Sequence, residues 1–139
     1  MKRTLFVVAL WMAMAGTSVR GEPDASVSKG TAAASAWLAL TDSGKFSESW
    51  DAAAALFRGA VTRADWVKAI TATRAPLGAL RSRKLKSTTH AHELPGAPDG
   101  DYVIIQYQTV FENKASAVET VTPMKEKDGT WRVSGYFIK

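Results

Sequence analysis

The sequence predicts an α+β fold in which three N-terminal helices pack on one face of a four-stranded antiparallel sheet. After Gly78 the spacing of apolar residues changes from the helical repeat of about 3.6 residues to the strand repeat of about 2. Turn signals at Asp99-Gly100 and Asp128-Gly129 then separate successive strand patterns. Helices that precede such a meander bury their apolar stripes against the sheet, which indicates one shared core.

Apolar stripes predict the first two helices. The first covers 26–41 and is expected to end at Asp42-Ser43-Gly44. The second covers about 46–58, where an apolar stripe recurs at i, i+4, i+7 and i+11 and consists of Phe46, Trp50, Ala53 and Phe57. Because Trp50 lies in the middle of this stripe, we expect it to be buried in the core.

The third helix has the clearest start signal. Thr62 is its expected N-cap, and Asp65 occupies the capping-box position three residues later. The helix is expected to end near Ala75, because Pro76 disfavours helical geometry in the residue before it.

Alternating residues predict four strands after these helices, at 79–92, 101–112, 115–126 and 130–138. The second strand is the strongest prediction, since Val103 and Ile105 share one face while Tyr102 and Gln106 take the other. The Asp128-Gly129 pair predicts a type I′ turn before the last strand.

Residues 1–21 are typical of a secretory signal. Lys2 and Arg3 precede a 12-residue apolar stretch, and small and polar residues follow as far as Gly21. A membrane span needs about 20 apolar residues, so we expect no stable membrane anchor after cleavage near Gly21. The expected mature protein is a single domain, 22–139, in the periplasm or secreted.

Charge and composition exclude several classes of protein. The formal charge of +5 falls to +2 when the basic residues of 1–21 are removed, which argues against nucleic acid as a partner. The chain has no cysteine, so it holds neither a disulfide nor a thiol nucleophile. Hydrolase motifs and a Gly-rich phosphate loop are also missing from the sequence, and we expect no cofactor.

One carboxylate is the candidate for acid–base chemistry. Glu119 is flanked by Val118 and Val121 on the third strand, and three polar side chains of neighbouring strands could converge with it, Tyr102, Gln106 and Tyr136. Glu119 could instead pair with Arg132 across the hairpin or face solvent.

A basic run is the candidate anion site. It extends from the third helix into the first strand and consists of Arg74, Arg81, Arg83, Lys84 and Lys86. Strand alternation places Arg81 and Arg83 on one face, where they could contact a phosphate or carboxylate. The alternative is a solvated strand whose charges discourage edge-to-edge pairing.

Two histidines end the first strand. His90 and His92 are two residues apart, so both rings point the same way. Together with a carboxylate from Glu93, Asp99 or Asp101 they could hold zinc. A plain surface strand end explains the same residues, and we assign no metal site from the sequence.

Several segments together resemble the bacterial family known as domain of unknown function 4019. They are WLALTDSGKFSESW (37–50), RAPLGALRSRKLKS (74–87), LPGAPDGDYVIIQY (94–107), KASAVETVTPM (114–124) and DGTWRVSGYFIK (128–139). The resemblance implies an exported single-domain protein and transfers no catalytic residues. The order of helices and sheet is similar to the cystatin-like or nuclear transport factor 2-like cone, an analogy of fold alone.

We therefore expect an exported, non-enzymatic module that binds a small anionic ligand, a peptide or an envelope protein. The residues proposed to contact that ligand are Arg74, Arg81, Arg83, Tyr102, Gln106 and Glu119. The alternative is a cone-pocket enzyme that uses Glu119 with Tyr102 or Tyr136. This enzyme requires that Glu119 be buried and have no arginine partner.

Overall fold

The computed structural model describes residues 24–139 and confirms the α+β prediction. The helices are α1 (Ala25–Asp42), α2 (Phe46–Ala52), α3 (Ala55–Ala60) and α4 (Arg63–Arg74), and the strands are β1 (Leu80–Ala91), β2 (Tyr102–Phe111), β3 (Lys114–Lys125) and β4 (Trp131–Ile138). The strands form one antiparallel sheet in the order β1-β2-β3-β4. Among these residues no helix combines the length and the apolar character that crossing a membrane requires. The predicted signal, 1–21, lies outside the described residues.

The predicted ends of α1 and α4 are confirmed. Asp24 caps α1, its carboxylate accepting the backbone N–H of Ser26 at 3.0 Å. Gly44, two residues past α1, has a positive φ of 72° that other residues rarely adopt. Thr62 caps α4 by accepting the backbone N–H of Asp65 at 3.2 Å.

The prediction of a single helix over 46–58 is wrong. Ala53 and Ala54 are extended and separate α2 from α3, and the N–H of Ala54 donates to the carbonyl of Val133 on β4 at 2.8 Å. Both alanines are fully buried, since their small side chains allow the backbone to approach the sheet. Trp50 is therefore half-buried rather than central, and its indole N–H donates to the carbonyl of Val61 at 2.8 Å.

The prediction of a type I′ turn at Asp128-Gly129 is also wrong. That turn requires a positive φ at both residues, and only Gly129 has one, at 85°. The Asp128 carboxylate instead accepts the N–H of Thr130 at 2.9 Å, and the N–H of Glu126 donates to the carbonyl of Thr130 at 2.7 Å. A side-chain hydrogen bond of Asp128 therefore stabilises a longer loop.

Trp37 lies at the centre of the core between α1 and the sheet. Its ring centroid is 6.4 Å from that of Phe57, 5.9 Å from that of Trp66 and 5.2 Å from that of Tyr136. Its indole N–H donates to the carbonyl of Ser49 at 2.8 Å, so its one polar atom is satisfied.

Gly30 sets how closely α1 approaches the sheet. A Cβ atom at this position would lie 2.9 Å from Cγ2 of Val103 and 3.3 Å from Cγ of Pro123. Ordinary side-chain contacts are longer, so the helix could not lie this close with any larger residue. Gly30 is buried, which is consistent with direct packing of the helix backbone on β2 and β3.

Replacing Trp37 with alanine should destabilise the domain by about 3–5 kcal/mol, because the substitution leaves a large cavity. Trp50→Ala should cost less, since that ring is half-buried, and Lys84→Ala on exposed β1 should change little. Denaturant titrations of the three variants measure this order. Equal midpoints for Trp37→Ala and Lys84→Ala would contradict the assigned core.

Gly30→Ala should destabilise the domain even though alanine favours helices by about 1 kcal/mol over glycine. Overpacking against Val103 typically costs about 1–3 kcal/mol, which outweighs that gain. Gly59→Ala in α3 is the matched control, because a Cβ there meets nothing within 4 Å. Thermal denaturation should show a lower midpoint for Gly30→Ala only; a rise in both variants would refute the close approach.

Candidate functional site

Glu119, on β3, is fully buried on the side of the sheet that faces the helices. Its Oε1 accepts Nε of Arg83 at 2.8 Å and the hydroxyl of Thr109 at 2.6 Å. Its Oε2 accepts Nη2 of Arg83 at 3.2 Å and the hydroxyl of Tyr136. A carboxylate has about four lone-pair sites, so this one has its full set of hydrogen bonds.

Arg83 reaches Glu119 across the intervening strand. It lies on β1 opposite Thr109 of β2, and β2 in turn pairs with β3. The same guanidinium donates to both carboxylate oxygens of Asp42, at 2.8 Å and 3.0 Å. The planar fork of arginine allows this double pairing, which a lysine could not reproduce.

Asp42 joins this pair to a second arginine. It is the last residue of α1 and accepts Nη2 of Arg74, the last residue of α4, at 3.1 Å. An anion at a helix C-terminus is unfavourable by itself, and two adjacent guanidinium groups offset that cost. We call Arg74, Asp42, Arg83 and Glu119 the buried charge network; its two cations and two anions balance.

The network holds its donors in the protonated form. Burial by itself lowers the pKa of Arg83, but the hydrogen bonds that its guanidinium donates to Asp42 and Glu119 raise that pKa above its usual value. Burial raises the pKa of Tyr136, and the neighbouring Glu119 carboxylate raises it further. Tyr136 therefore remains a hydrogen-bond donor to Glu119, and Arg83 remains a cation.

This arrangement contradicts the hypothesis that the protein is a cone-pocket enzyme. That alternative needs a buried Glu119 without an arginine partner, and Arg83 binds both of its oxygens. The expected alternative partner, Arg132, is not the residue that pairs with it. Since Glu119 already accepts four hydrogen bonds, it has no lone pair with which to take a proton from a substrate.

The other predicted site residues do not gather around Glu119. Glu119 pairs with Tyr107, so strand alternation puts Tyr102 and Gln106 on the opposite face of the sheet. The hydroxyl of Tyr102 donates to the carbonyl of Pro98 at 2.6 Å, and Gln106 accepts the hydroxyl of Ser87 at 3.4 Å. The expectation that Tyr102 and Gln106 converge with Glu119 is therefore wrong.

The predicted basic run is divided. Arg81 has no partner on β2, because the register shifts between Leu80 and Ser82, and its side chain is 61% exposed near Glu112. Arg83 regains the regular pairing and is 14% exposed. The bulge therefore points the side chains of Arg81 and Arg83 in different directions. Arg74 and Arg83 already form ion pairs with carboxylates of the protein itself.

Sequence reasoning missed Asp42 and Thr109 as members of the network. Asp42 was assigned only as part of the stop after the first helix. An acidic residue at the C-terminal end of a helix is the one signal that could have suggested a cationic partner. Thr109 carries no comparable signal, since threonine is common in strands.

An apolar groove of about 540 Å³ lies between α1 and the β3–β4 hairpin. Its lining is Ala33, Ala36, Trp37 and Leu40 of α1 with Ala52, Thr130, Trp131, Arg132 and Val133. Small alanines form one wall, and Arg132 is the one charged residue of the lining. This volume falls within the usual range for small-molecule sites, about 300–1,000 Å³.

A second polar cluster lies where β1 ends. Nε2 of His90 and Nδ1 of His92 are each 3.1 Å from Oδ1 of Asp101, and Nδ1 of His90 is 2.6 Å from Oδ2 of Asp24. The hydrogen bond with Asp101 raises the pKa of His90 most, burial opposes it, and Asp24 adds to the rise. The hydrogen bond from Ser26 and the one with His90 lower the pKa of Asp24.

The fold and these sites define a small α+β domain with an aromatic-rich core, a charge-balanced network and an apolar surface groove. The chain belongs to the family described as "Protein of unknown function (DUF4019)", whose family model matches residues 33–136. This confirms the resemblance noted in the sequence. No curated protein and no solved structure matches the chain.

Arg83→Met should destabilise the domain by about 3–5 kcal/mol, because it leaves the Glu119 carboxylate buried without its cation. Arg81→Met is the matched control on the same strand and should change stability little, since its pair with Glu112 is exposed and long. Denaturant titration compares the two variants. Similar losses in both would show that the network does not anchor β1.

Proposed function

We propose that this protein acts outside the cytoplasm as a non-enzymatic binding module. Its proposed ligand is a small amphiphilic molecule, apolar with one acidic group, bound in the groove between α1 and the β3–β4 hairpin. The single observation that carries this proposal is the apolar lining of the groove with Arg132 as its only charged residue.

The buried charge network supports a role without catalysis. Glu119 accepts four hydrogen bonds from Arg83, Thr109 and Tyr136. A general base has to exchange protons with a substrate, and a saturated, fully buried carboxylate lacks both the lone pair and the access. The network therefore fits a structural role.

Charge complementarity selects the ligand. Among residues 24–139 no ion pair within 4.0 Å includes Arg132, which is half-buried at the groove and has the exposed Asp128 carboxylate as a more distant neighbour. A carboxylate at its guanidinium would gain a charge-assisted hydrogen bond, while an alkyl or aryl body would cover the alanines of α1. A bound peptide or an envelope protein is the competing occupant.

Location outside the cytoplasm rests on the sequence. Residues 1–21 have the charged start, apolar stretch and small-residue end of a secretory signal. Fractionation of cells that express the full chain tests this part, with the N-terminus of the recovered protein read by mass spectrometry. Recovery of uncleaved chain in the cytoplasm would contradict it.

Decanoate is a suitable probe, with uncharged decanol as its matched control. Isothermal titration should show that decanoate binds at least about tenfold more tightly than decanol, a difference of ~1.4 kcal/mol. Arg132→Gln should remove that preference, because the carboxylate loses its charge-assisted partner. Equal affinity for the two probes would contradict the assigned role of Arg132.

A second pair of variants tests the position of the site. Ala36 is exposed and lines the groove, whereas Ala39 is exposed on the same helix and does not line it. Ala36→Leu should weaken decanoate binding and Ala39→Leu should not. If decanoate fails to bind and a photo-crosslinker at residue 36 captures a protein, the occupant is a protein and the small-molecule proposal is wrong.

A further inference from the structure

We propose that His90, His92 and Asp101 form a binding site for one divalent transition-metal ion of the Zn²⁺ or Cu²⁺ class. The proposal is independent of the groove, because the two sites share no residue. It concerns the end of β1 and the residue that precedes β2.

Three ligand atoms are already close together. Nε2 of His90 and Nδ1 of His92 each lie 3.1 Å from Oδ1 of Asp101, and all three atoms are within 4.8 Å of one another. A tetrahedral ion with bonds of about 2.0–2.1 Å holds its ligand atoms about 3.3–3.4 Å apart. The distances from Oδ1 of Asp101 to the two histidine nitrogens are therefore close to those around such an ion. The third distance joins the nitrogens of His90 and His92, and the ring of His92 can shorten it because it is 76% exposed.

Asp24 supplies the outer partner that metal-binding histidines usually have. Its carboxylate lies 2.6 Å from Nδ1 of His90, the ring nitrogen that does not face Asp101. Such a carboxylate keeps the proton on Nδ1, fixes the orientation of the ring and leaves the Nε2 lone pair for the ion. This pairing distinguishes the cluster from two histidines that happen to be adjacent.

The backbone holds the ligands in position from both strands. The N–H of Gly100 donates to the carbonyl of His92 at 2.9 Å and closes the loop between β1 and β2. The N–H of Lys125 donates to the carbonyl of Asp101 at 2.9 Å, which ties that residue to β3 as well. In the sequence, Asp101 is separated from the two histidines by a loop. These hydrogen bonds hold Asp101 close to His90 and His92.

The ligand types select the class of ion. Two imidazoles and one carboxylate suit Zn²⁺, Cu²⁺ or Ni²⁺, whereas Ca²⁺ and Mg²⁺ prefer sites made only of oxygen. Three protein ligands leave at least one position for water or for another molecule. His90 and His92 are the only histidines of the chain, and cysteine is absent, so no other imidazole or thiolate competes.

Titration of the full chain, prepared without a histidine tag, tests the site. Calorimetry with ZnCl₂ should show one ion bound per chain, and CaCl₂ at the same concentration should give no binding. With CuSO₄, electron paramagnetic resonance should show hyperfine coupling to two imidazole nitrogens. Absence of Zn²⁺ binding, or a copper spectrum without nitrogen coupling, would overturn the proposal.

Variants separate the site from surface adsorption. His92→Ala is expected to fold normally because the side chain is exposed, and it should reduce Zn²⁺ affinity by more than the roughly 10–100-fold that loss of an outer partner costs. Asp24→Asn should reduce it about 10–100-fold. Glu48→Gln, an exposed carboxylate on α2, is the control and should leave affinity unchanged. Equal affinities in His92→Ala and the parent would refute the site.

Discussion

The rest of the structure depends on one buried carboxylate, Glu119. A charge taken out of water is costly unless ionic and hydrogen-bonding partners surround it completely. Glu119 obtains those partners from β1, β2 and β4 at once, through Arg83, Thr109 and Tyr136. Each strand must therefore keep its register, because a slip of one residue would turn its contribution to the opposite face.

The same constraint positions the helices. Arg83 also binds Asp42 at the end of α1, and Asp42 binds Arg74 at the end of α4, so the ends of two helices attach to the charge that β3 buries. Gly30 brings the N-terminal half of α1 against Val103. Within residues 24–139 this network leaves Glu119 fully buried, and both proposed binding sites lie on the surface along α1 instead. The groove lies beside its middle, and Asp24 at its start contacts the histidine cluster.

The sequence by itself determined the order of the helices and strands and the approximate position of most of their ends. Local signals are enough for that: a capping residue at Thr62, a glycine past α1, and alternating residues in β2 act within a few positions of the chain. The sequence also identified Glu119, since a carboxylate between valines on a core strand is unusual. The prediction from the sequence was wrong at 46–58. There the N–H of Ala54 donates to the carbonyl of Val133 instead of to a carbonyl within a continuous helix.

Only the tertiary structure decided what these residues contact. Arg83 and Glu119 are 36 positions apart, His90 and Asp24 are 66 apart, and no local pattern encodes such a pairing. The bulge at Arg81 turns it away from Arg83 although simple alternation places both on one face. Partner choice depends on strand register and on how closely α1 packs on the sheet, and both are set by the burial of the whole chain rather than by any one segment.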